Sequence, residues 1–223
     1  MKKLAAAVAF ALVCAAMAGA PAKAAGTVNL NYWINDLSAD GEKLDQNAFV
    51  INGVIGIPET KWSAIFEYWN SGSDSDSADT FDVESNRYLV GARYDFEGGL
   101  YATLAYQNNE MEISSVAGSG SVDSNGFRIG GGYAFAFEGT PWTGNIDLGL
   151  GIANDASESG IVGSESADSS EFDLDLKFSY KLPYEGLKAN IGYRYQKINL
   201  KWDGGSDNNK YDGFYLGVGY DYK

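Results

Sequence analysis

The chain has 223 residues, with 30 acidic against 16 basic side chains for a formal charge of −14, no histidine and one cysteine. So acidic a chain offers no basic face to a polyanion, which excludes nucleic acid as a partner. Without histidine, hydrolases and acyltransferases built on an imidazole base are excluded, and so are Cys/His metal centres, so neither a cofactor nor enzymatic activity is expected.

Met1-Lys2-Lys3, the Ala-rich apolar run from Leu4 to Ala20 and the small-residue site Ala22-Lys23-Ala24 are the three parts of a secretory signal peptide. Residues 1–24 are therefore expected to be cleaved, leaving one domain over 25–223. The apolar run is shorter than the roughly 20 residues that a spanning helix needs. Cys14 follows Val13 and leaves the run unbroken, unlike a lipid-modified cysteine, so the mature chain carries no cysteine and no disulfide. Cleavage removes Lys2, Lys3 and Lys23 but no acid, taking the charge from −14 to −17.

No helical period in the mature chain could cover an apolar sheet face, and after Gly26 no apolar run is long enough for a membrane helix. What recurs is a period of two, which predicts strands with one face to lipid and one to a barrel interior. Thr27 to Leu37 sets Val28, Leu30, Tyr32 and Ile34 against Asn29, Asn31, Trp33 and Asn35. Asparagines are costly in lipid, so they look inward. After a polar loop at Ser38 to Gln46, Ala48 to Ile57 turns Phe49, Ile51, Gly53, Ile55 and Ile57 outward, with Val50 and Val54 blurring the alternation. Pro58 to Lys61 turns the chain into Trp62 to Ser71, with Trp62, Ala64, Phe66 and Tyr68 outward and Ser63, Glu67 and Trp69 inward. Gly72 to Ser85 is rich in Ser and Asp with no basic residue, and reads as a solvated loop. Arg87 to Phe96 follows, with Tyr88, Val90, Ala92, Tyr94 and Phe96 outward and Arg87, Arg93 and Asp95 inward.

Beyond Glu97-Gly98-Gly99, Leu100 to Glu112 sets Leu100, Ala102, Leu104 and Tyr106 against Tyr101, Thr103 and Gln107. A Gly/Ser loop at Ile113 to Asp123 leads into Ser124 to Phe137, where Phe127, Ile129, Tyr133, Phe135 and Phe137 oppose Arg128, Gly130, Gly132 and Ala134. Glu138 to Pro141 returns the chain through Trp142 to Ala153, with Ile146, Leu148, Leu150 and Ile152 outward and Asn145 and Asp147 inward. An acidic loop, Asn154 to Ser170, precedes Glu171 to Leu182, whose Phe172, Leu174, Leu176, Phe178 and Tyr180 face away from Asp173, Asp175, Lys177 and Ser179. After Pro183 to Gly186, Leu187 to Leu200 places Ala189, Ile191, Tyr193 and Tyr195 outward and Lys188, Asn190, Arg194 and Gln196 inward. Lys201 to Asn209 is the last loop. The closing strand, Tyr211 to Lys223, opposes Phe214, Leu216, Val218, Tyr220 and Tyr222 to Gly213, Tyr215, Gly217, Gly219 and Asp221.

These are ten antiparallel strands joined by four short turns and five longer loops, an even count that puts both ends on the short-turn side. Outward aromatics gather near the turns (Trp62, Phe96, Phe137, Trp142, Tyr180, Tyr222) and near the loops (Tyr32, Tyr68, Tyr88, Tyr106, Phe127), as two membrane interfaces select. A soluble lipocalin-like barrel would put its apolar residues inside and would not want charges opposite them. With Ile191-Gly-Tyr-Arg-Tyr195 and Leu216-Gly-Val-Gly-Tyr-Asp-Tyr222, the chain resembles the small Gram-negative outer-membrane β-barrel proteins, the OmpA-type and OmpX-type group. The resemblance implies an all-β closed barrel in the outer membrane, surrounded by outer-membrane lipid and lipopolysaccharide and assembled by the barrel assembly machinery. In that group the last strand usually ends on an aromatic residue; here Tyr222 is followed by Lys223.

The inward charges form the candidate site: Glu67, Arg87, Arg93, Arg128, Asp147, Asp173, Asp175, Lys177 and Arg194. Pairing across the Pro183 to Gly186 turn sets Asp175 opposite Arg194 and Lys177 opposite Gly192; pairing across Glu138 to Pro141 sets Asp147 opposite Gly132 and Arg128 opposite Gly151. Opposed charges favour an internal salt-bridge network that plugs the barrel. Inward glycines (Gly91, Gly130, Gly132, Gly149, Gly151, Gly192, Gly217, Gly219), and ten strands rather than eight, favour a narrow aqueous path. In the loop at 72–79, Asp74, Asp76 and Asp79 are oxygen ligands that could suit calcium, but without the EF-hand spacing a solvated, mutually repulsive loop is the favoured reading. The function expected is a non-enzymatic structural or surface-interaction barrel with acidic outer loops, the alternative being a narrow porin-like channel. No extracellular partner is indicated.

Overall fold

Each backbone N–H and C=O inside a bilayer must find a partner in the chain, and a sheet closed on itself meets that demand without edges. The computed structural model describes residues 25–39, 42–72, 74–75, 81–115, 118–160, 163–202 and 205–222. Its strands are β1 (Gly26–Ala39), β2 (Glu42–Asp45), β3 (Ala48–Gly56), β4 (Trp62–Ser71), β5 (Asp74–Ser75), β6 (Phe81–Asp95), β7 (Leu100–Ser115), β8 (Gly118–Ala136), β9 (Trp142–Gly160), β10 (Gly163–Lys181), β11 (Leu187–Trp202) and β12 (Gly205–Tyr222). Ten of them form an antiparallel ring, which β12 closes by pairing with β1 from Gly26 opposite Tyr222 to Ala39 opposite Asn209. The short β2 and β5 lie outside the ring, paired with β1 and β6.

The expected faces are the observed ones in all ten strands. Leu30, Phe49, Leu104, Leu148, Phe214 and Val218 are exposed on the outer wall, while Asn29, Asn31, Arg87, Asp173 and Gln196 are buried inside. The short turns fall where expected; Gly139 and Gly186 adopt φ of 72° and 73°, conformations in which a Cβ would be strained. The expected signal peptide, 1–24, lies outside the described residues.

The five longer loops are the main correction. Ser38 to Gln46, Ile113 to Asp123, Asn154 to Ser170 and Lys201 to Asn209 are in large part strand, as β1 and β2, β7 and β8, β9 and β10, and β11 and β12 keep pairing. Within Gly72 to Ser85, β5 pairs with the start of β6. These extensions escape a search for outward apolar residues because the polarity reverses along each strand. Val83, Met111, Val122, Ile198 and Leu200 turn inward and belong to or pack on a buried apolar cluster, while their neighbours Glu84, Glu110, Asp123 and Lys197 take the outer face. Above the membrane the wall is bathed in water, so apolar side chains gain by facing the interior. In β9 the reversal coincides with a bulge, since Phe127 pairs with Ile152 but Asn125 with Asp155, and Glu171 with Gly151 but Ser169 with Asn154. The extra residue advances β9 by one face.

Candidate functional site: the barrel lumen

The lumen has three levels. At the short-turn end, which in such barrels is periplasmic, lies a vestibule of about 630 Å³. Its floor and walls include Arg93, Asp95, Tyr101, Lys177 and Lys188. Arg93 Nε donates to Asp95 Oδ1 at 2.8 Å and its guanidinium lies 3.7 Å over the Tyr101 ring. Near the mouth Lys188 Nζ donates to Asp221 Oδ1 at 2.6 Å. Among the described residues no ion pair engages Lys177.

Above the vestibule a plate of charges crosses the barrel. Arg128 reaches Asp173 through Nε at 2.8 Å and Nη2 at 2.6 Å, and Asp147 through Nη2 at 2.5 Å. Arg87, fully buried, meets Glu171 at 2.9 Å. Glu171 also accepts from Gln107 Nε2 at 2.7 Å, Asn109 Nδ2 at 2.9 Å and Gln196 Nε2 at 3.0 Å. Arg194 Nη2 donates to Glu67 Oε1 at 2.5 Å, from the opposite side of the ring. A buried charge is costly unless paired and hydrogen-bonded, and each carboxylate of the plate has such a donor.

The third level is largely aromatic and aliphatic. Trp33 and Trp69, both inward, meet edge to face with centroids 5.8 Å apart, and Tyr211 completes the group 5.6 Å from Trp69. Leu37, Val50, Ile198 and Leu200 pack around them, and Arg194 sits 5.4 Å from the Trp33 ring, joining plug to plate.

Seven of the nine predicted charges, Glu67, Arg87, Arg128, Asp147, Asp173, Asp175 and Arg194, come together at or beside the plate. Arg93 and Lys177 line the vestibule instead. The strand register is as expected, with Asp175 opposite Arg194 and Asp147 opposite Gly132. The ion pairing drawn from it is not: Arg194 binds Glu67, and Asp175 accepts from Tyr215 Oη at 2.8 Å. Opposed residues project side by side from the wall, whereas a guanidinium is long enough to cross the lumen.

The inward glycines are backed by larger side chains. A Cβ on Gly149 would lie 2.1 Å from Arg128 Nε, one on Gly132 2.2 Å from Tyr101 Oη, and one on Gly192 2.3 Å from the Tyr215 ring. The glycines make room for side chains that fill the barrel. Sequence reasoning left out Glu171 as a plate member and the aromatic plug; tryptophans on an otherwise polar face, Trp33 and Trp69, were the available signal. Of the candidate calcium ligands, Asp74 begins β5 and Asp76 and Asp79 lie outside the described residues. Among the described residues no three potential ligands converge on a metal site.

Residues 5–142 match the model of the outer membrane protein beta-barrel domain. The chain belongs to that family. It is thus an outer-membrane β-barrel protein of a bacterium, and the lumen is that of a membrane barrel. Three solved barrels share the fold. OmpT, an outer membrane protease from Escherichia coli, aligns at a TM-score of 0.55 and 12% identity over 90% of this chain and 94% of its own. The beta domain of the Bordetella autotransporter BrkA aligns at 0.51 and 12% identity, over 90% and 99%. Neisserial surface protein A aligns at 0.50 and 14% identity, over 88% and 97%. No curated protein matches the chain by sequence.

Proposed function

We propose that this outer-membrane barrel is non-enzymatic and non-conducting, a structural or surface-interaction protein that presents acidic outer hairpins on a plugged scaffold. The observation that carries the reading is the Trp33, Trp69 and Tyr211 cluster above the charge plate. An ion crossing the lumen would have to displace both a packed aromatic layer and buried, ion-paired charges. The porin-like alternative has the periplasmic vestibule in its favour, but that space ends beneath the plate. Export by cleavage of residues 1–24, insertion by the barrel assembly machinery and a surrounding of lipopolysaccharide belong to the same reading.

The test is single-channel recording of the refolded mature chain in a planar bilayer. A silent bilayer is expected from protein whose gel migration shifts on boiling, as a folded barrel's does. Defined conductance steps whose ion selectivity changes in Asp175→Asn and Arg194→Gln would establish the channel instead.

A further inference from the structure

The periplasmic vestibule is polar on most of its wall but not on all of it. Its volume, about 630 Å³, is that of a small-molecule pocket. Among the described residues that line it, the branched aliphatic ones are Val54, Ile65 and Leu89. They stand on β3, β4 and β6, three neighbours in the ring. Val54 is directly opposite Ile65, and Ile65 is opposite Gly91, the next inward residue after Leu89. Asn52 and Glu67 bound this patch on the plate side, Ser63 and Arg93 on the periplasmic side.

The wall across the lumen has the complementary chemistry. In the closed order of ten strands, β10 is five places from β4. Followed pair by pair from Ile65 one way round, through Gly91, Ala105, Arg128 and Gly151, the register reaches Glu171 of β10. The other way it runs through Val54, Thr27 and Asp221 to Gly186, and continuing the register of β10 with β11 places Pro183 next. Because the strands of a closed barrel are tilted and staggered, the point level with Ile65 lies midway between those two ends. Lys177 occupies it.

Among the described residues neither an ion pair nor a hydrogen bond engages Lys177. The acids that act on it are Asp175 and Asp147, and both are held by other donors. Asp175 accepts from Tyr215 Oη at 2.8 Å, and Asp147 from Tyr101 Oη at 2.9 Å and from Arg128. The neighbouring cations are engaged too, Arg93 by Asp95 and Lys188 by Asp221. One ammonium with donors to spare thus faces an aliphatic patch across the vestibule.

We infer that the vestibule binds a small organic anion, a carboxylate on a short aliphatic body, which enters from the periplasm and lays its carboxylate on Lys177 and its chain against Val54, Ile65 and Leu89. The carboxylate supplies the acceptor that Lys177 lacks, at the roughly 2.7–2.9 Å of a charge-assisted hydrogen bond. Asn145, directly opposite Lys177, sets a side-chain amide beside it. The aliphatic body covers apolar surface that otherwise faces water. This site goes beyond the plugged-barrel reading; ligand binding and conductance are measured separately, so either can fail alone.

The test is ligand-observed saturation-transfer NMR on the folded mature chain in phosphatidylcholine nanodiscs, with empty discs subtracted. Acetate, butyrate and hexanoate are titrated beside hexylammonium. Hexanoate is expected to bind and hexylammonium to give no signal, with affinity rising about fourfold per methylene along the carboxylate series. Lys177→Gln should weaken hexanoate about tenfold or more, as the loss of a charged hydrogen bond does, while Lys177→Arg should retain it. Val54→Ser with Ile65→Ser should flatten the chain-length series. Each variant is first checked for folding by gel shift, and if Lys177→Gln fails that check the chain-length series in the serine variant decides. Silence from hexanoate, equal binding of hexylammonium, or undiminished binding to folded Lys177→Gln would overturn the inference. So would an affinity independent of chain length in the parent, which would reduce the site to a simple ion contact.

Discussion

The lower and upper halves of this barrel are built on opposite rules from one continuous set of strands. In the membrane half, Leu104, Leu148 and Leu216 face out and Arg128, Asp173 and Arg194 face in. In the outer half, Ile198, Leu200 and Val83 face in, and Lys197, Lys201 and Glu84 face out, as in a soluble barrel. The solvent around the wall decides which face is apolar, and the strand adjusts by continuing its alternation with the residue types exchanged. The two halves meet where the charge plate lies beneath Trp33 and Trp69, with Arg194 against the Trp33 ring.

Removing the proposed aromatic plug is expected to have the largest effect. Trp33→Ala and Trp69→Ala each delete a buried indole at a cost of about 3–5 kcal/mol, and together they should lower the urea midpoint of unfolding and yield conductance where the parent chain is silent. If conductance stays absent in a folded double variant, the plate alone seals the barrel. Next is Arg128→Leu, which leaves Asp173 and Asp147 without their guanidinium and should cost roughly 3–5 kcal/mol in the same titration. A loss under 1 kcal/mol would mean that water in the vestibule replaces the pair.

The reversal of faces is tested most directly by moving lysine along the strands. Ile198→Lys buries a charge in the apolar cluster of the upper half and is expected to cost about 3–5 kcal/mol, although its neighbour at 197 is already lysine. Leu148→Lys on the lipid face should cost about 2–4 kcal/mol. Asn208→Lys, on the water-facing wall of β12, should stay within about 0.5 kcal/mol. Should Ile198→Lys prove as mild as Asn208→Lys, the outer half is not a packed core.

Alternation was enough to place all ten ring strands and their faces below the girdle, because lipid imposes one unvarying demand on every other residue. Turn chemistry was equally legible, since Gly139 and Gly186 stand where only glycine sits easily. Above the girdle the same search failed at Val83 and Val122, which are apolar in the opposite phase and fall within the expected polar loops 72–85 and 113–123. The charges of the site were readable as inward, but their pairing was not.

By itself, then, the sequence determined a closed membrane barrel, its strand register across the short turns and the set of polar side chains that had to be inside, since a period of two against lipid admits one assignment. Only the tertiary structure decided that Arg194 meets Glu67 rather than Asp175, that the glycines make room for Arg128, Tyr101 and Tyr215, and that Trp33, Trp69 and Tyr211 pack together inside the lumen. The glycine contacts lie between neighbouring strands, but Arg194 with Glu67 and Trp69 with Trp33 and Tyr211 join strands that are not neighbours in the ring, and side-chain reach across a closed lumen is not encoded in the spacing of residues along any one strand.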